Sequence, residues 1–99
     1  MSSPYVKGRA FENYVKRKLE AKEWIVIRSR GSRGVFDLLA VKNGEIMLIQ
    51  CKWRKPIKEG EKENLLVKAL KAGGIPVLAT HINGRVKFID IRNGEQIKI

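Results

Sequence analysis

The sequence predicts a single α/β domain spanning residues 1–99, a mixed β-sheet of about five strands flanked by two helices in the order α-β-β-β-α-β-β. Three observations carry this. Residues 36–41 and 45–52 are runs of β-branched and aliphatic residues joined by Asn43-Gly44, the strongest short-range signal for a tight hairpin. Residues 4–22 and 60–72 place apolar side chains at helical spacing. Ninety-nine residues, 43% of them hydrophobic, suffice for one core and not for two.

The elements follow in order. Ser3-Pro4 reads as an N-cap with proline at the first helical position. Gly8, Phe11, Tyr14, Val15, Lys18 and Leu19 then form one stripe, with Glu12 at its flank, looking along the sheet surface. A glycine inside a helix costs about 0.8–1.0 kcal/mol relative to alanine, so Gly8 is expected to permit a close backbone approach. Trp24 to Arg28 reads as a strand, and Ser29 to Gly34 as a loop holding Arg30, Ser32 and Arg33. The hairpin is apolar on both faces, Leu39, Val41, Ile46 and Leu48 on one and Leu38, Ala40, Met47 and Ile49 on the other. It is therefore expected at the sheet centre, covered on both sides. A basic loop broken by Pro56 leads into helix two, with Leu66, Ala69 and Leu70 as its inner stripe and Gly73-Gly74 as its stop. Residues 76–82, 85–92 and 95–99 read as three more strands, the last weak, joined by Asn83-Gly84 and Asn93-Gly94 turns.

Charge narrows the function. The net charge is +11, and residues 1–58 hold 14 Lys/Arg against 5 Asp/Glu while residues 59–99 hold 7 against 5. A surface that basic implies a polyanionic partner, most simply nucleic acid; the alternative is a solvated lysine-rich face. One cysteine excludes an intrachain disulfide, no apolar run approaches a membrane span, and the first residues lack the h-region of a signal peptide, so a cytoplasmic protein is expected.

The hairpin register turns this into chemistry. With Asn43 and Gly44 as the turn, Lys42 pairs with Glu45 and Asp37 falls opposite Gln50, Lys52 sharing that face. A carboxylate, an amide oxygen and an ammonium thus converge at one end of an apolar hairpin, able to hold a divalent metal beside a phosphate. Mg²⁺ takes hard oxygen ligands at about 2.0–2.1 Å and keeps several waters, so few protein ligands are needed. Asp37, Gln50 and the Cys51 backbone carbonyl are the candidate ligands, Glu12 an outer-sphere carboxylate, and Lys52 the cation at the scissile phosphate. Taken singly, Asp37 also reads as a strand cap and Lys52 as a snorkelling strand end. The Cys51 thiol points into the core, and His81 lacks a second ligand at zinc spacing. Trp53 reads equally as a core residue or a base-stacking one. Arg9, Arg28, Arg30, Ser32, Arg33, Arg54, Lys55 and Lys58 are the candidate DNA contacts.

R-A-F-E on the first helix, V-I-R-S-R-G-S-R-G-V-F-D into the second strand and I-Q-C-K on the third resemble the archaeal Holliday junction resolvases, as do G-G-I-P-V-L-A and V-K-F-I-D-I. The resemblance covers roughly residues 7–91. It implies a restriction-endonuclease-like fold of the PD-(D/E)xK nuclease superfamily. It further implies Mg²⁺-dependent cleavage (Mn²⁺ substituting) of four-way DNA junctions by a homodimer. Carried over, Glu12 matches the helix carboxylate, Asp37 the first metal ligand, Lys52 the catalytic lysine, Arg28 the strand-end arginine and Ser32 the serine of the mobile loop. Gln50 stands where the family usually has glutamate, and Asn13 where it often has arginine. Ile97 and Ile99 are expected to pair or pack at an interface. The expected function is a junction-selective endonuclease; the alternatives are a weakened paralogue that binds branched DNA without cutting, and a restriction- or repair-type nuclease.

Overall fold

The computed structural model describes residues 4–29 and 35–99, with the side chains of residues 4–7 left aside. The elements are α1 (Pro4–Glu20), β1 (Ile25–Arg28), β2 (Leu38–Lys42), β3 (Glu45–Lys52), α2 (Glu59–Ala72), β4 (Ile75–Ile82), β5 (Arg85–Asp90) and β6 (Glu95–Ile97). They form one six-stranded sheet whose spatial order is the chain order. Every neighbouring pair is antiparallel except β3 and β4, which run parallel because α2 carries the chain back across the sheet. The short β6 makes six strands where about five were expected. The Ser3 cap, Arg30, Ser32 and Arg33 lie outside the described residues. None of the described helices is long and apolar enough to cross a membrane.

Alternation along β2 and β3 divides the core in two. Leu38, Ala40, Met47 and Ile49 meet Phe11, Val15 and Leu19 of α1, together with Trp24, Val26, Val77, Ala79 and Phe88. Leu48 and Leu78 meet Leu65 and Ala69 of α2, with Leu39 and Ile46 at the margin. Each fully buried Leu or Ile contributes about 1.5–3 kcal/mol, so both helices are held mainly by their apolar stripes. The Asn43-Gly44 and Asn83-Gly84 turns have positive φ at both residues, as tight hairpins of this kind require.

Four local expectations are corrected. α1 ends at Glu20, and Glu23 takes a left-handed φ of 71° before Trp24, which is buried just ahead of β1. A Cβ at Gly8 would meet nothing within 4 Å; the close approach is instead at Gly74, where a Cβ would lie 3.0 Å from the Ile46 carbonyl oxygen. The inner stripe of α2 is Leu65 and Ala69, one turn apart, while Leu70 is 83% exposed and faces outward. β5 stops at Asp90 and a four-residue connection replaces the two-residue turn at Asn93-Gly94. Its cause is the Asp90 carboxylate, which accepts the Arg92 backbone N–H at 2.9 Å and curls the chain. Ile97 and Ile99 are partly buried against the α1-side core of their own chain.

Candidate active site

The register from Lys42–Glu45 to Leu38–Ile49 matches the sequence reading, but it ends one pair short of Asp37. The Asp37 backbone N–H donates to the Ile49 carbonyl at 2.7 Å, whereas a continued ladder would bring Asp37 level with Gln50. The chain kinks there, and the Asp37 Oδ2 accepts the Cys51 backbone N–H at 2.8 Å. The expected opposition of Asp37 to Gln50 is therefore replaced by a contact with the next residue along β3. The side-chain carboxylate takes the donor that a further backbone carbonyl would otherwise satisfy. On the other side Ser29 N–H donates to the Asp37 carbonyl at 2.9 Å. These three backbone contacts fix the carboxylate at the sheet end.

Four elements meet at this end. Glu12, from the middle of α1, is 3.9 Å from Arg28 at the end of β1, and Arg28 also donates to the Asn13 side-chain oxygen. Lys52, the last residue of β3, donates from Nζ to Glu61 Oε2 at 2.7 Å. Glu61, in the first turn of α2, accepts the Lys58 backbone N–H on its other oxygen at 3.1 Å. Glu61 was missed in the sequence, where its third-residue position after Lys58 reads only as helix-terminus capping. Gln50 is buried at 6% exposure on the α2 face of β3.

The electrostatics are those of an under-compensated anionic spot. Burial pushes the Glu12 carboxyl up from its ordinary range and Asp37 pushes it further, against Arg28 and Arg9. Burial likewise raises Asp37, opposed by the Cys51 amide and then Lys52. Glu61 is instead held low, first by its bond from Lys52. Arg28 and Lys52 already have carboxylate partners, while Asp37 is in no ion pair among the described residues. An added cation would relieve this spot. Nor do any three His, Cys, Asp or Glu residues among those described group for a metal, so Gln50 and the Cys51 carbonyl would be needed to complete a set around Asp37. Such a set is all hard oxygen, which suits Mg²⁺ or Mn²⁺. The Cys51 thiol packs against the α1-side core, and burial drives its pKa well above the usual value, which disfavours the thiolate.

The remaining candidates lie around this centre. Arg9, Arg54, Lys55 and Lys58 are exposed, Arg54 with a left-handed φ of 54°. Trp53, directly after Lys52, is half-buried, with its ring centroid 5.4 Å from that of Phe11 and 4.2 Å from that of His81.

The profile of the archaeal Holliday junction resolvase (hjc) family matches residues 3–98. This chain belongs to that family. Among its relatives, the crossover junction endodeoxyribonuclease Hjc of Methanocaldococcus jannaschii is 39% identical over 94 residues, covering 91% of this chain and 70% of the relative. The Sulfolobus acidocaldarius Hjc is 33% identical over 93 residues, covering 84% of this chain and 65% of its own length. The Sulfurisphaera tokodaii Hjc is 30% identical over 99 residues, covering 90% and 69%. This member of the family thus spans about two-thirds of the length of the relatives it matches. The 1.6 Å structure of Archaeoglobus fulgidus Hjc, a Holliday junction resolvase, superposes with a TM-score of 0.78 over 93% of this chain and 79% of that one. At 23% identity, that likeness bears on the fold.

Proposed function

We propose that this chain is a metal-dependent endonuclease that nicks four-way or closely related branched DNA, acting as a homodimer with Mg²⁺ or Mn²⁺. The carrying observation is the Asp37 carboxylate fixed by the Cys51 amide at the kinked end of the hairpin, with Glu12 on one side and Lys52 on the other. Asp37, the Gln50 amide oxygen and the Cys51 carbonyl would hold the ion, and Glu12 would reach it through water. When bound, the ion neutralises phosphate charge and supplies a water of lowered pKa. Lys52 offers its ammonium to the scissile phosphate, where charge builds in the transition state. Glu61 holds that ammonium in place before substrate arrives. Arg28 positions Glu12 and Asn13 on the α1 side. The exposed Arg9, Arg54, Lys55 and Lys58, with Arg30, Ser32 and Arg33, carry the backbone contacts, which position the duplex without reading sequence. Two-fold pairing of protomers matches the paired strands of a four-way junction.

A second reading, binding without cleavage, is favoured by Gln50: an amide in place of a carboxylate ligand removes one negative charge from the ion's shell. A labelled four-way junction and a matched linear duplex, each with EDTA, Mg²⁺ or Mn²⁺, separate the two. The expected result is metal-dependent nicking near the branch point with the linear duplex intact. Equal cleavage of both substrates would overturn junction selectivity, and tight junction binding without nicks in either metal would establish the second reading.

A further inference from the structure

On the α1 face, beside Trp53, Ala10 and Tyr14 of α1 line one space with His81, Gly84 and Val86 at the turn end of the β4–β5 hairpin. This space is a groove of about 380 Å³ whose walls include Phe11, Tyr14, Trp53, His81 and Val86. Its size is that of a small-molecule site, which typically runs to about 300–1,000 Å³. We propose that this groove receives one unstacked nucleobase from the branched DNA held at the neighbouring site. The inference rests on the DNA-binding reading above and adds a ligand position to it.

Four observations converge. The groove is adjacent to the chemistry, since Phe11 directly precedes Glu12 and Trp53 directly follows Lys52. Its walls are flat rings already in mutual contact. Phe11 meets Trp53 edge-on at 65°, and Trp53 lies at 32° to His81. Tyr14, half exposed, forms the solvent-side wall. Such walls suit a planar aromatic ligand, because every base presents a π-face. His81 Nδ1 is buried without a hydrogen-bond partner among the described residues. Buried polar atoms are nearly always paired, and this one belongs to a groove residue, so a small turn of the ring would offer it to a ligand with a polar edge, which a base has and an aliphatic or phenyl side chain lacks.

The fourth observation is the rim. Arg9 and Arg54 are chain neighbours of groove residues, both are exposed, and the Arg54 guanidinium carbon stands 4.9 Å from the Trp53 ring centroid. A basic rim around an aromatic trough matches a ring carried on a phosphate chain. It disfavours a second copy of this chain, which would bring its own +11 charge to the same rim. A branch point is where bases lose stacking partners most cheaply, so the flipped base costs least there.

The test uses the whole protein in EDTA with a four-way junction carrying 5-iododeoxyuridine at one position, either at the branch point or mid-arm. Long-wavelength irradiation is followed by mass-spectrometric mapping, alongside gel-shift affinity and sedimentation. Two surface variants spare the core. Ala10→Trp fills the groove from an exposed position of α1, and Tyr14→Ala removes its outer wall. The branch-point probe is expected to cross-link to Trp53, Tyr14 or His81, and the mid-arm probe is not. Ala10→Trp should abolish that cross-link and weaken junction binding about ten- to hundred-fold, leaving linear-duplex affinity unchanged. Tyr14→Ala should weaken junction binding in the same direction. Junction affinity and cross-linking unaltered in both variants would overturn the nucleobase site while leaving the proposed function standing. If Ala10→Trp instead turns a dimer into a monomer, with no groove cross-link in the wild type, the groove seats a second copy and the inference fails. A wild type that binds no junction at all defeats the proposed function first, and this inference with it.

Discussion

Replacing Asp37 by asparagine separates the two tasks its carboxylate performs, holding the kinked strand and holding a cation. An asparagine side-chain oxygen can still accept the Cys51 N–H now bonded at 2.8 Å. A hydrogen bond to a charged group contributes about 1.5–3 kcal/mol net and a neutral one about 0.5–1.5, so the exchange costs about 1 kcal/mol. Opposing this, burial raises the Asp37 carboxyl above its ordinary range, with the Cys51 amide and Lys52 only partly offsetting it. A carboxyl whose pKa is raised on folding stabilises the fold at low pH, and that contribution is lost as pH rises through the folded value. Where the group is ionised it is therefore a burden that asparagine lifts. For a domain of this size 1 kcal/mol is roughly 4–8 °C, so Tm in EDTA should move by less than about 8 °C.

With metal the two proteins should diverge. An ion at ten times its Kd stabilises the folded state by about 1.4 kcal/mol, roughly 6–11 °C in Tm for the wild type. Asp37→Asn should lose most of that increment and at least about a hundred-fold in single-turnover cleavage, the scale of a few kcal/mol of lost transition-state stabilisation. Junction affinity in EDTA should hold or tighten, since a negative charge leaves the vicinity of the phosphate. The measurements are calorimetry with and without Mg²⁺ or Mn²⁺, gel shift in EDTA, and quenched single-turnover cleavage. A variant that cleaves within about ten-fold of wild type, or that keeps the full metal-induced rise in Tm, would refute Asp37 as the anionic ligand.

Three further outcomes are expected. Gln50→Glu should lower Tm in EDTA, because it buries a charge at a position only 6% exposed, yet raise metal affinity and cleavage at low Mg²⁺; a metal titration with no change in either would count against the ligand role. Junction affinity should fall steeply with salt, and Arg54→Ala or Lys55→Ala should each flatten the log–log slope by about 0.9 if the residue neutralises one phosphate, a slope untouched by both excluding them from the track. The Asp90 carboxyl is held low chiefly by its bonds from Arg92, so its contribution is present above the ordinary carboxylate range and lost as pH falls through the folded value; Asp90→Asn should flatten the acid limb of a Tm–pH curve, and identical limbs would show that the pair contributes nothing.

What the sequence made legible was what local chemistry dictates. Asn-Gly turns force φ positive at two residues, so the β2–β3 register followed from two letters and placed Asp37 and Lys52 at the same sheet end. The last step of that register failed because one hydrogen bond decided it. A short carboxylate at a strand end competes with its own backbone for a donor, and at Asp37 the side chain won the Cys51 amide. The same competition at Asp90 shortened β5, so both misplacements have one cause and one residue type. The face of α2 was misjudged for another reason. Leu65, Leu66, Val67, Ala69 and Leu70 spread over more than half of the helix circumference, and only contact with Leu48 and Leu78 selects Leu65 and Ala69 as the buried pair.

Glu61 shows where spacing cannot reach. It lies nine residues beyond Lys52, across a proline-broken loop, and no periodicity links the first turn of a helix to the end of the preceding strand. Its placement nonetheless changes the electrical reading of the site. Without it, Glu12 and Asp37 face Arg28 and Lys52 and the charges cancel. With it, Lys52 is drawn to Glu61 at 2.7 Å, so the ammonium that would otherwise balance Asp37 is engaged elsewhere, and Asp37 has no ion pair among the described residues. An Asp37 carboxylate without an ion pair, set in a protein of net charge +11, would suit a cation locally and a polyanion globally, the two ligands the proposed chemistry brings together. The order matters as well. With Asp37 holding an ion as proposed, an arriving phosphate would compete with Glu61 for the Lys52 ammonium, and releasing Lys52 from Glu61 would become part of engaging the substrate. Glu61→Gln should then loosen Lys52 in advance, raising phosphate affinity at the cost of a less fixed ammonium. Tighter junction binding with slower single-turnover cleavage is the expected pair of results. Unchanged values for both would leave Glu61 as the cap of α2 and nothing more.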